Sequence, residues 1–330
     1  MARKPFRVMF SCVGRRVALV EAFRRSLKKL HLKGGILGAD SSAYSAALQC
    51  CDAGFLVPPC TSADYVPELL RICGLEEVDL LIPLIDPELP VLAECHERFR
   101  GVGTTLCLSA PEVVRVCSDK VLTNEHLTAA GIDTPRLFQY DKIRDGDFPL
   151  FMKPRRGSSA KDIHKLADRR QLEFYWTEHP DAIIQEFIPG QEYTLDIFTD
   201  FAGEPRCVVP RQRIEVRGGE VSKSLTVKDG ELIEVGMRAV RALGGGRGPI
   251  TVQCFRTPAG RVTVIEINPR LGGGVPLAIA AGADIPAWTI QCARGEPAGG
   301  GQIDPLGFQD RLVMLRYDEA VFVPEGALGR

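Results

Sequence analysis

Short apolar runs alternate with amphipathic stretches through the first third of the chain. Residues 7–12 form an apolar run that ends at Gly14, as a strand followed by a tight turn does. Residues 17–30 place their apolar side chains on one helical face and their lysines and arginines off it. The same patterns predict strands at 35–40, 54–58 and 78–85 and a helix at 65–73. Strands that alternate with helices predict a parallel sheet covered by helices on both faces.

Polar side chains follow several of these predicted strands. They are Gly14 to Arg16, Asp40, and Asp86 to Glu88. Ligands of parallel sheets bind beyond the carboxyl ends of the strands, so we expect a binding edge here. Arg15, Arg16 and Asp86 are candidates for holding part of a substrate, although the two arginines fit a solvated surface equally well.

A different pattern begins near residues 108–111. Ser109 and Glu112 have the spacing of a capping box, and a further helix is predicted from Ser118 to Ala130, with Gly131 ending it. Six more strands are predicted, many joined by hairpin-like turns, at 148–153, 182–187, 193–199, 206–209, 250–255 and 262–267. This part of the chain therefore reads as α+β with an antiparallel sheet.

Charge and composition narrow the function classes. The 330 residues include 41 Lys plus Arg and 42 Asp plus Glu, a net charge of −1, which is not the bulk charge of a nucleic-acid-binding protein. The first apolar run is too short for a signal peptide or a membrane span, so we expect a cytoplasmic protein without a membrane partner. The eleven cysteines include no C-x-x-C pair and fit small buried residues in a reducing compartment.

Two motifs in the second half have the residue types of a nucleotide site. In the first, a predicted strand delivers Lys153, and the small residues Gly157, Ser158 and Ser159 follow, where backbone N–H groups can approach an anion. This is not a Walker A motif, and alone it fits a surface turn equally well. The second is 185–192, where a strand edge could meet a purine and a carboxylate could receive ribose hydroxyls; alone, it too fits a strand and a turn.

A third motif has the residue types of a magnesium site. Glu266 and Asn268 have period-two spacing, which places them on one face of a strand, and Gln253 on a neighbouring predicted strand could add a third oxygen. Arg270 follows on the same side, and the glycines at 272–274 could point N–H groups at a developing oxyanion. A polar alternation in an otherwise buried strand is costly without a purpose, which favours function here.

A fourth feature consists of cations at strand spacing. Arg211 and Arg213 would lie on one face of a strand, and residues 218–224 follow with Lys223 among them. An exposed strand face explains this pattern about as well as a substrate site does.

Taken in order, these motifs resemble the ATP-grasp fold, closest to the large subunit of carbamoyl-phosphate synthetase. The resemblance rests on 118–120, 151–154, the loop at Gly157, 185–192 and 266–270. It implies an α/β, Rossmann-like pre-ATP-grasp domain at 1–109, followed by an ATP-grasp fold of two α+β subdomains. These are linker helices with a small lid subdomain at 110–185, and a large subdomain with the metal site at 186–330.

The resemblance also implies roles for matching residues, with ATP and Mg²⁺ (or Mn²⁺) as cofactors. Implied nucleotide contacts are Lys120, Lys153, Gly157, Ser158, Ser159, Glu186, Phe187, Ile188, Glu192 and Lys223. Implied metal ligands are Gln253, Glu266 and Asn268, and implied catalytic or acceptor contacts are Arg270, Lys153, Arg211 and Arg213. In this set Lys120 and Lys153 would contact phosphates, Glu192 the ribose, and Arg270 the transferring phosphoryl group.

The departures from that enzyme shape the expected reaction. The chain carries one grasp module rather than tandem halves, and Leu-Gly-Gly-Gly follows Arg270 in place of a loop bearing serine and arginine. A stand-alone ligase is therefore implied, which joins a small-molecule carboxylate to an amine or thiol through an acyl phosphate. A homodimer is compatible with this reading. The alternatives are an ATP-dependent phosphotransferase and a non-catalytic nucleotide-binding regulatory module; a dinucleotide oxidoreductase is disfavoured because the first turn lacks G-x-G-x-x-G.

Overall fold

The computed structural model describes residues 4–157, 162–244 and 246–328. Its first part is a parallel sheet of five strands, β1 (Phe6–Ser11), β2 (Gly34–Asp40), β3 (Ala53–Leu56), β4 (Leu80–Pro83) and β5 (Thr105–Leu106). They lie in the order β3-β2-β1-β4-β5. The helices of this part are α1 (Val17–Lys29), α2 (Ala46–Gln49), α3 (Tyr65–Leu75), α4 (Leu89–Ala93) and α5 (His96–Gly101).

Alternating residues of β1 enter two different cores. Val8 and Phe10 pack with α1 on one face, whereas Met9 packs with α3 on the other. Because both faces are buried, the strand reads as a continuous apolar run rather than as an alternating one. The parallel sheet predicted from the sequence, with helices on both faces, is confirmed.

Two helices connect this sheet to the rest of the chain, α6 (Pro111–Cys117) and α7 (Lys120–Ala129). The capping box predicted at Ser109 and Glu112 is wrong. Pro111 occupies the first turn of α6, its N-cap is Ala110 without a side-chain bond, and Ser109 Oγ accepts from the backbone N–H of Arg247 at 3.0 Å. Helix α7 is capped by Asp119 as the sequence pattern indicates.

A small antiparallel sheet follows, made of β6 (Leu137–Phe138), β7 (Leu150–Pro154), β8 (His164–Leu166) and β9 (Ala182–Glu186). Its order is β6-β9-β7-β8, and helix α8 (Arg169–Glu178) packs on one face. Leu150 and Met152 join that core, so the intervening Phe151 and the following Lys153 face the other side.

The large antiparallel sheet has six strands, β10 (Gln191–Thr199), β11 (Pro205–Arg217), β12 (Glu220–Thr226), β13 (Gly248–Arg256), β14 (Val262–Asn268) and β15 (Val313–Leu315). They lie in the order β14-β13-β10-β11-β12-β15. Helix α9 (Gly230–Ala242) covers one face, where Leu195, Ile197 and Val252 are buried. The antiparallel sheet is confirmed, although β11 is far longer than the predicted 206–209.

Helices α10 (Val275–Ala280) and α11 (Ile285–Ala293) join the large sheet to the first domain. Val275 and Ile290 belong to the same buried cluster as Val8, Phe10 and Phe23. This shared core fixes the carboxyl ends of β1 and β4 against the segment that follows β14. Among the described residues, no helix combines the length and apolar character needed to cross a membrane.

Candidate active site

The face of the large sheet opposite α9 is polar. Its side chains come from neighbouring strands in register: Glu192, Thr194 and Asp196 on β10, Arg211 and Arg213 on β11, Thr251 and Gln253 on β13, and Glu266 and Asn268 on β14. Because side chains alternate along a strand, each polar residue is flanked by one that points to the apolar core. The sheet thus gathers onto one surface residues that lie far apart in sequence.

The three predicted metal ligands lie together on this surface. Turned so that its nitrogen faces the carboxylate, the Gln253 amide donates to Glu266 Oε2 at 3.0 Å, and the Asn268 amide donates to Glu266 Oε1 at 3.2 Å. Turned the other way, both amide oxygens converge on the same carboxylate, an arrangement that a hard divalent cation would stabilise. Within the described residues, no cluster of three or more His, Cys, Asp or Glu has the arrangement of a metal site.

A β-bulge connects this group to Lys153. The register between β13 and β14 shifts beside Gln253, so Ile265 has no direct cross-strand partner. Its carbonyl accepts from Lys153 Nζ at 3.2 Å. Burial lowers the pKa of the Lys153 ammonium to about 8, while the Glu266 carboxylate acts to raise it. Lys153 therefore lies beside the predicted metal ligands and loses its proton more readily than an exposed lysine does.

Lys120 lies at the loop that follows β7. Its Nζ donates to the carbonyl of Gly157 at 2.8 Å, and Gly157 has φ of +98°, which only glycine adopts readily. The neighbouring Asp119 carboxylate pairs with Arg155 at 2.8 Å. Burial alone would raise the pKa of Asp119, but its hydrogen bonds with the Arg155 side chain and with the backbone N–H groups of Val121 and Leu122 lower it. Ser158 and Ser159, predicted as phosphate contacts, lie outside the described residues.

The predicted adenine segment follows β9. The Glu186 carboxylate pairs with Arg261 at 2.7 Å, so its side chain already has a partner, whereas Phe187 and Ile188 follow without secondary structure. The Glu192 carboxylate pairs with Arg213 at 3.1 Å. Burial raises the pKa of Glu192, against the lowering influence of Arg213. Glu192 and Arg213 are both on the polar face, near Gln253.

Arg211 is buried beneath the glycine loop 272–274. Its side chain is 1% exposed and forms a bidentate pair with Asp196, with Nε–Oδ2 at 2.5 Å. A Cβ on Gly274 would lie 2.4 Å from Arg211 Nη1, so the loop packs directly on the guanidinium. Arg211 therefore supports the loop from below and does not face a ligand. Asp196 was not predicted from the sequence, although an acid between the buried Leu195 and Ile197 is the same kind of signal as Glu266.

Arg270 reaches across to the first domain. Its guanidinium forms a bidentate pair with Asp86, with Nε–Oδ1 at 2.7 Å and Nη2–Oδ2 at 2.5 Å. Asp86 directly follows the β4 edge of the parallel sheet, so the predicted binding edge and the predicted catalytic arginine meet here. The backbone carbonyl of Arg270 accepts from Thr251 Oγ1 at 3.0 Å, which fixes the start of the glycine loop.

The loop that carries Asp86 is itself anchored by Glu88. This carboxylate is fully buried and accepts from the backbone N–H groups of Leu84 (2.8 Å) and Ile85 (3.1 Å) and from Tyr65 Oη (2.5 Å). Burial raises the pKa of Glu88. The sequence placed Glu88 at a strand end but did not reveal that it stabilises the loop rather than facing a ligand.

Lys223 does not join the polar group. Its ammonium pairs with Glu215 at 2.6 Å on the neighbouring strand, while the adjacent Ser224 faces Arg211. Consecutive strand residues point to opposite faces, so Lys223 points away from the nucleotide contacts predicted with it. A nucleotide contact for Lys223 stays a prediction.

Two family models match the sequence. Residues 8–107 match the PylC-like N-terminal domain, and residues 117–274 match the ATP-grasp domain, which includes every residue of the polar face described above. The chain contains an ATP-grasp domain. The resemblance noted from the motifs is thereby confirmed, and the two matches meet at the helices that join the parallel sheet to the rest of the molecule.

Curated relatives of the chain include the carbamoyl phosphate synthase large chain of Bifidobacterium adolescentis. It is 26% identical over 77% of this chain, which corresponds to 25% of the synthase. Three other curated relatives match over 18%, 35% and 38% of their own lengths. The chain thus spans well under half the length of these curated relatives.

Solved structures share the fold. The biotin carboxylase domain of Hydrogenobacter thermophilus 2-oxoglutarate carboxylase, a dimer in complex with MgADP, ADP and bicarbonate, superposes with a TM-score of 0.73 at 15% identity, over 94% of this chain and 74% of that one. An L-amino acid ligase from Bacillus licheniformis superposes with a TM-score of 0.68 at 20% identity, over 89% and 75% of the two chains. The chain therefore shares its fold with these structures over nearly its whole length.

Proposed function

We propose that this ATP-grasp protein is an ATP-dependent ligase that activates a carboxylate as an acyl phosphate and transfers it to an amine. One observation carries the proposal. The donor set of Gln253, Glu266 and Asn268 lies between Lys153 on one side and the Arg270–Asp86 pair on the other. This arrangement supports a site in which oxygen ligands for a cation, a lysine for phosphate and an arginine for an anion lie against or within residues 265–270.

The residues fit Mg·ATP. One carboxylate and two amide oxygens suit Mg²⁺ or Mn²⁺, because such ions keep water and phosphate oxygens as their remaining ligands. When bound, the metal would neutralise charge on the β- and γ-phosphates. Lys153 and Lys120 would contact the phosphates, and the segment from Glu186 to Ile188, with Glu192, would hold the adenosine. The carboxylase whose structure resembles this one was solved with MgADP, in line with this assignment.

The proposed reaction has two steps. A carboxylate oxygen of the acid attacks the γ-phosphorus, the bond from phosphorus to the β–γ bridging oxygen breaks, and ADP leaves. The amine nitrogen then attacks the acyl carbon, phosphate leaves with the electrons of the C–O bond, and the nitrogen releases a proton. Lys153 and Arg270 stabilise charge at the two ends of the transferring phosphoryl group, which is catalysis by positioning and electrostatics.

Arg211 and Arg213 have supporting roles in this proposal. Arg211 holds the 272–274 loop from below through its pair with Asp196, so the loop N–H groups can face the acyl oxygen. Arg213 orients Glu192 for the ribose. A small-molecule acid and amine are the proposed substrates, and the homodimer considered from the sequence stays a prediction.

A hydroxylamine-trapping assay tests the proposal. Protein with Mg·ATP, hydroxylamine and a panel of carboxylic acids is expected to yield a hydroxamate and one equivalent of ADP with one class of acid. Glu266→Gln should abolish both products while Glu231→Gln, an exposed substitution on α9, should leave both unchanged. ADP formation without hydroxamate, together with a stable phosphorylated product, would instead identify a phosphotransferase. Nucleotide binding without ADP formation for any acid would contradict the ligase for every acid in the panel, and would be the result expected of a regulatory module.

A further inference from the structure

A crevice lies where the parallel sheet meets the glycine loop. Strand β1 pairs with β2 on one side and β4 on the other, so the strand order reverses at β1 and β4. Open α/β sheets bind ligands at this kind of switch point, beyond the carboxyl ends of the strands. Arg15 and Arg16 follow β1, Asp86 follows β4, and a Cβ on Gly273 would lie 2.7 Å from Arg16 Nη1. Elements from both domains therefore line the crevice.

Arg16 is incompletely paired within it. Its side chain is 18% exposed, its Nη2 lies 3.6 Å from Glu220 Oε1, and its Nη1 is buried without a hydrogen-bond partner among residues 4–157, 162–244 and 246–328. Glu220 is shared with Arg316 at 3.0 Å, and with Arg15 at 3.9 Å. A largely buried guanidinium with an unused donor is costly unless a ligand supplies the missing acceptor.

The charge balance of the crevice is positive. In the ion pairs formed among residues 4–157, 162–244 and 246–328, Arg15, Arg16, Arg270 and Arg316 share two acids, Asp86 and Glu220, so these pairs leave two positive charges in excess. Burial lowers the pKa of Arg16, and Arg270 and Arg316 lower it further, while Glu220 acts to raise it. An anionic ligand would relieve this repulsion and complete the hydrogen bonds of Arg16.

The position of Arg16 separates it from the phosphate contacts. Along residues 265–273, Lys153 contacts Ile265, Asp86 contacts Arg270, and Arg16 and Arg316 lie against Gly273. The nucleotide end and the Arg16 end are therefore on opposite sides of Arg270. An anion at Arg16 belongs to the acid substrate rather than to ATP.

We infer that Arg16 binds a second anionic group of the acid substrate, a carboxylate or a phosphate remote from the carboxylate that is activated. The inference rests on the proposed ligase function and narrows its substrate class to dianionic acids. Arg16 then acts as a specificity-determining residue, supplied to the ATP-grasp site by the first domain.

Matched acids test this inference directly. Succinate and glutarate are compared with butyrate and valerate, which have the same chain lengths and one charge less, and 3-phosphonopropionate represents the phosphate class. Binding to the whole chain loaded with Mg·ADP is measured by calorimetry for the wild type, Arg16→Gln and Arg25→Gln. The control removes the same charge from an exposed side chain of α1 that lies outside the crevice.

The wild type is expected to bind at least one dianion about tenfold or more tightly than its matched monoacid. Arg16→Gln should remove that preference and leave the affinity for Mg·ADP and the thermal midpoint unchanged, whereas Arg25→Gln should keep the preference. The relative affinities of succinate, glutarate and 3-phosphonopropionate distinguish a carboxylate-binding from a phosphate-binding site.

Three results would overturn the inference: equal binding of dianions and monoacids, no binding of any dianion, or a preference that survives in Arg16→Gln. The ligase proposal fails separately. If Arg16 confers a dianion preference but no acid supports ADP formation, the anion site stands and the ligase reaction does not. If a monoacid gives hydroxamate as efficiently as its matched diacid, the ligase stands and the role of Arg16 does not.

Discussion

At the scale of single residues, the site depends on a few buried charges. Lys153 is 6% exposed and has a carbonyl and the Glu266 carboxylate as its nearby polar groups. A lysine in that environment loses its proton more easily than one in water, because burial penalises the charged form. The same ammonium is available for phosphate oxygens, whose negative charge would restore its normal preference for the protonated state.

Nucleotide affinity should therefore depend on pH through Lys153. In the free protein the pKa of Lys153 is about 8, and bound phosphate raises it. Nucleotide binding above pH 8 is therefore accompanied by the uptake of a proton by Lys153. The dissociation constant of Mg·ADP should be flat below pH 8 and rise above it by up to about tenfold per pH unit. Lys153→Arg, which keeps its charge, should give a flat profile. Titration calorimetry of both proteins measures this, and identical profiles would exclude Lys153 as the titrating group.

The residue types of the site were accessible from the sequence, but their pairing was not. Glu266 and Asn268 were identified from a polar alternation in a buried strand, and Lys153 from its position before a small-residue loop. The Asp86–Arg270 pair joins residues 184 positions apart. Nothing in the local pattern specifies such a pair, because it depends on how the two domains pack.

At the scale of elements, the large sheet positions most of the polar side chains of the candidate active site. Its register places Thr194, Gln253 and Glu266 side by side on neighbouring strands, and the bulge in β14 frees the Ile265 carbonyl for Lys153. Period-two patterns predicted which residues of a strand share a face. They did not predict strand order or the bulge, because both are set by pairing between distant segments.

The glycine loop after β14 gives a prediction at this scale. Gly274 has φ of −94°, which any residue adopts, but an added Cβ would lie 2.4 Å from Arg211 Nη1 and 2.7 Å from Val221 Cγ1. Gly274→Ala should therefore displace the buried Arg211–Asp196 pair and lower the free energy of unfolding by about 1–3 kcal/mol. Urea denaturation measures the change.

Gly230→Ala provides the matched control. Gly230 begins α9, and a Cβ there would meet nothing within 4 Å, so this variant should be neutral or slightly more stable. If Gly274→Ala proves as stable as Gly230→Ala, the loop does not depend on close packing against Arg211.

At the scale of the whole molecule, the two domains share one apolar core and several ion pairs at the site. The core joins Phe10 of β1 to Val275 of α10, and one of these ion pairs joins Asp86 to Arg270. Patterns along the chain predicted an α/β part followed by an α+β part, which is the order in the structure. Their relative placement could not be read from it, because no local signal records which faces meet.

Asp86→Asn should weaken this junction. The asparagine cannot neutralise the partly buried Arg270, so we expect a loss of about 1–3 kcal/mol in unfolding free energy. With any acid that yields hydroxamate, kcat should fall by about tenfold or more while the affinity for Mg·ADP stays unchanged, because Arg270 loses its orientation. Asp64→Asn, at the exposed start of α3, is the control for both measurements. An unchanged kcat would mean that Asp86 does not position Arg270.

The central claim is that the polar face of the large sheet holds a metal–nucleotide complex, and it can be tested without knowing the acid. The measurement is the affinity for ADP with and without Mg²⁺ in the wild type, Glu266→Gln and the control Glu231→Gln. We predict that Mg²⁺ strengthens binding by about tenfold or more in the wild type and the control, and has no effect in Glu266→Gln. Metal-independent binding in the wild type, or metal dependence that survives in Glu266→Gln, would contradict the assignment of this face.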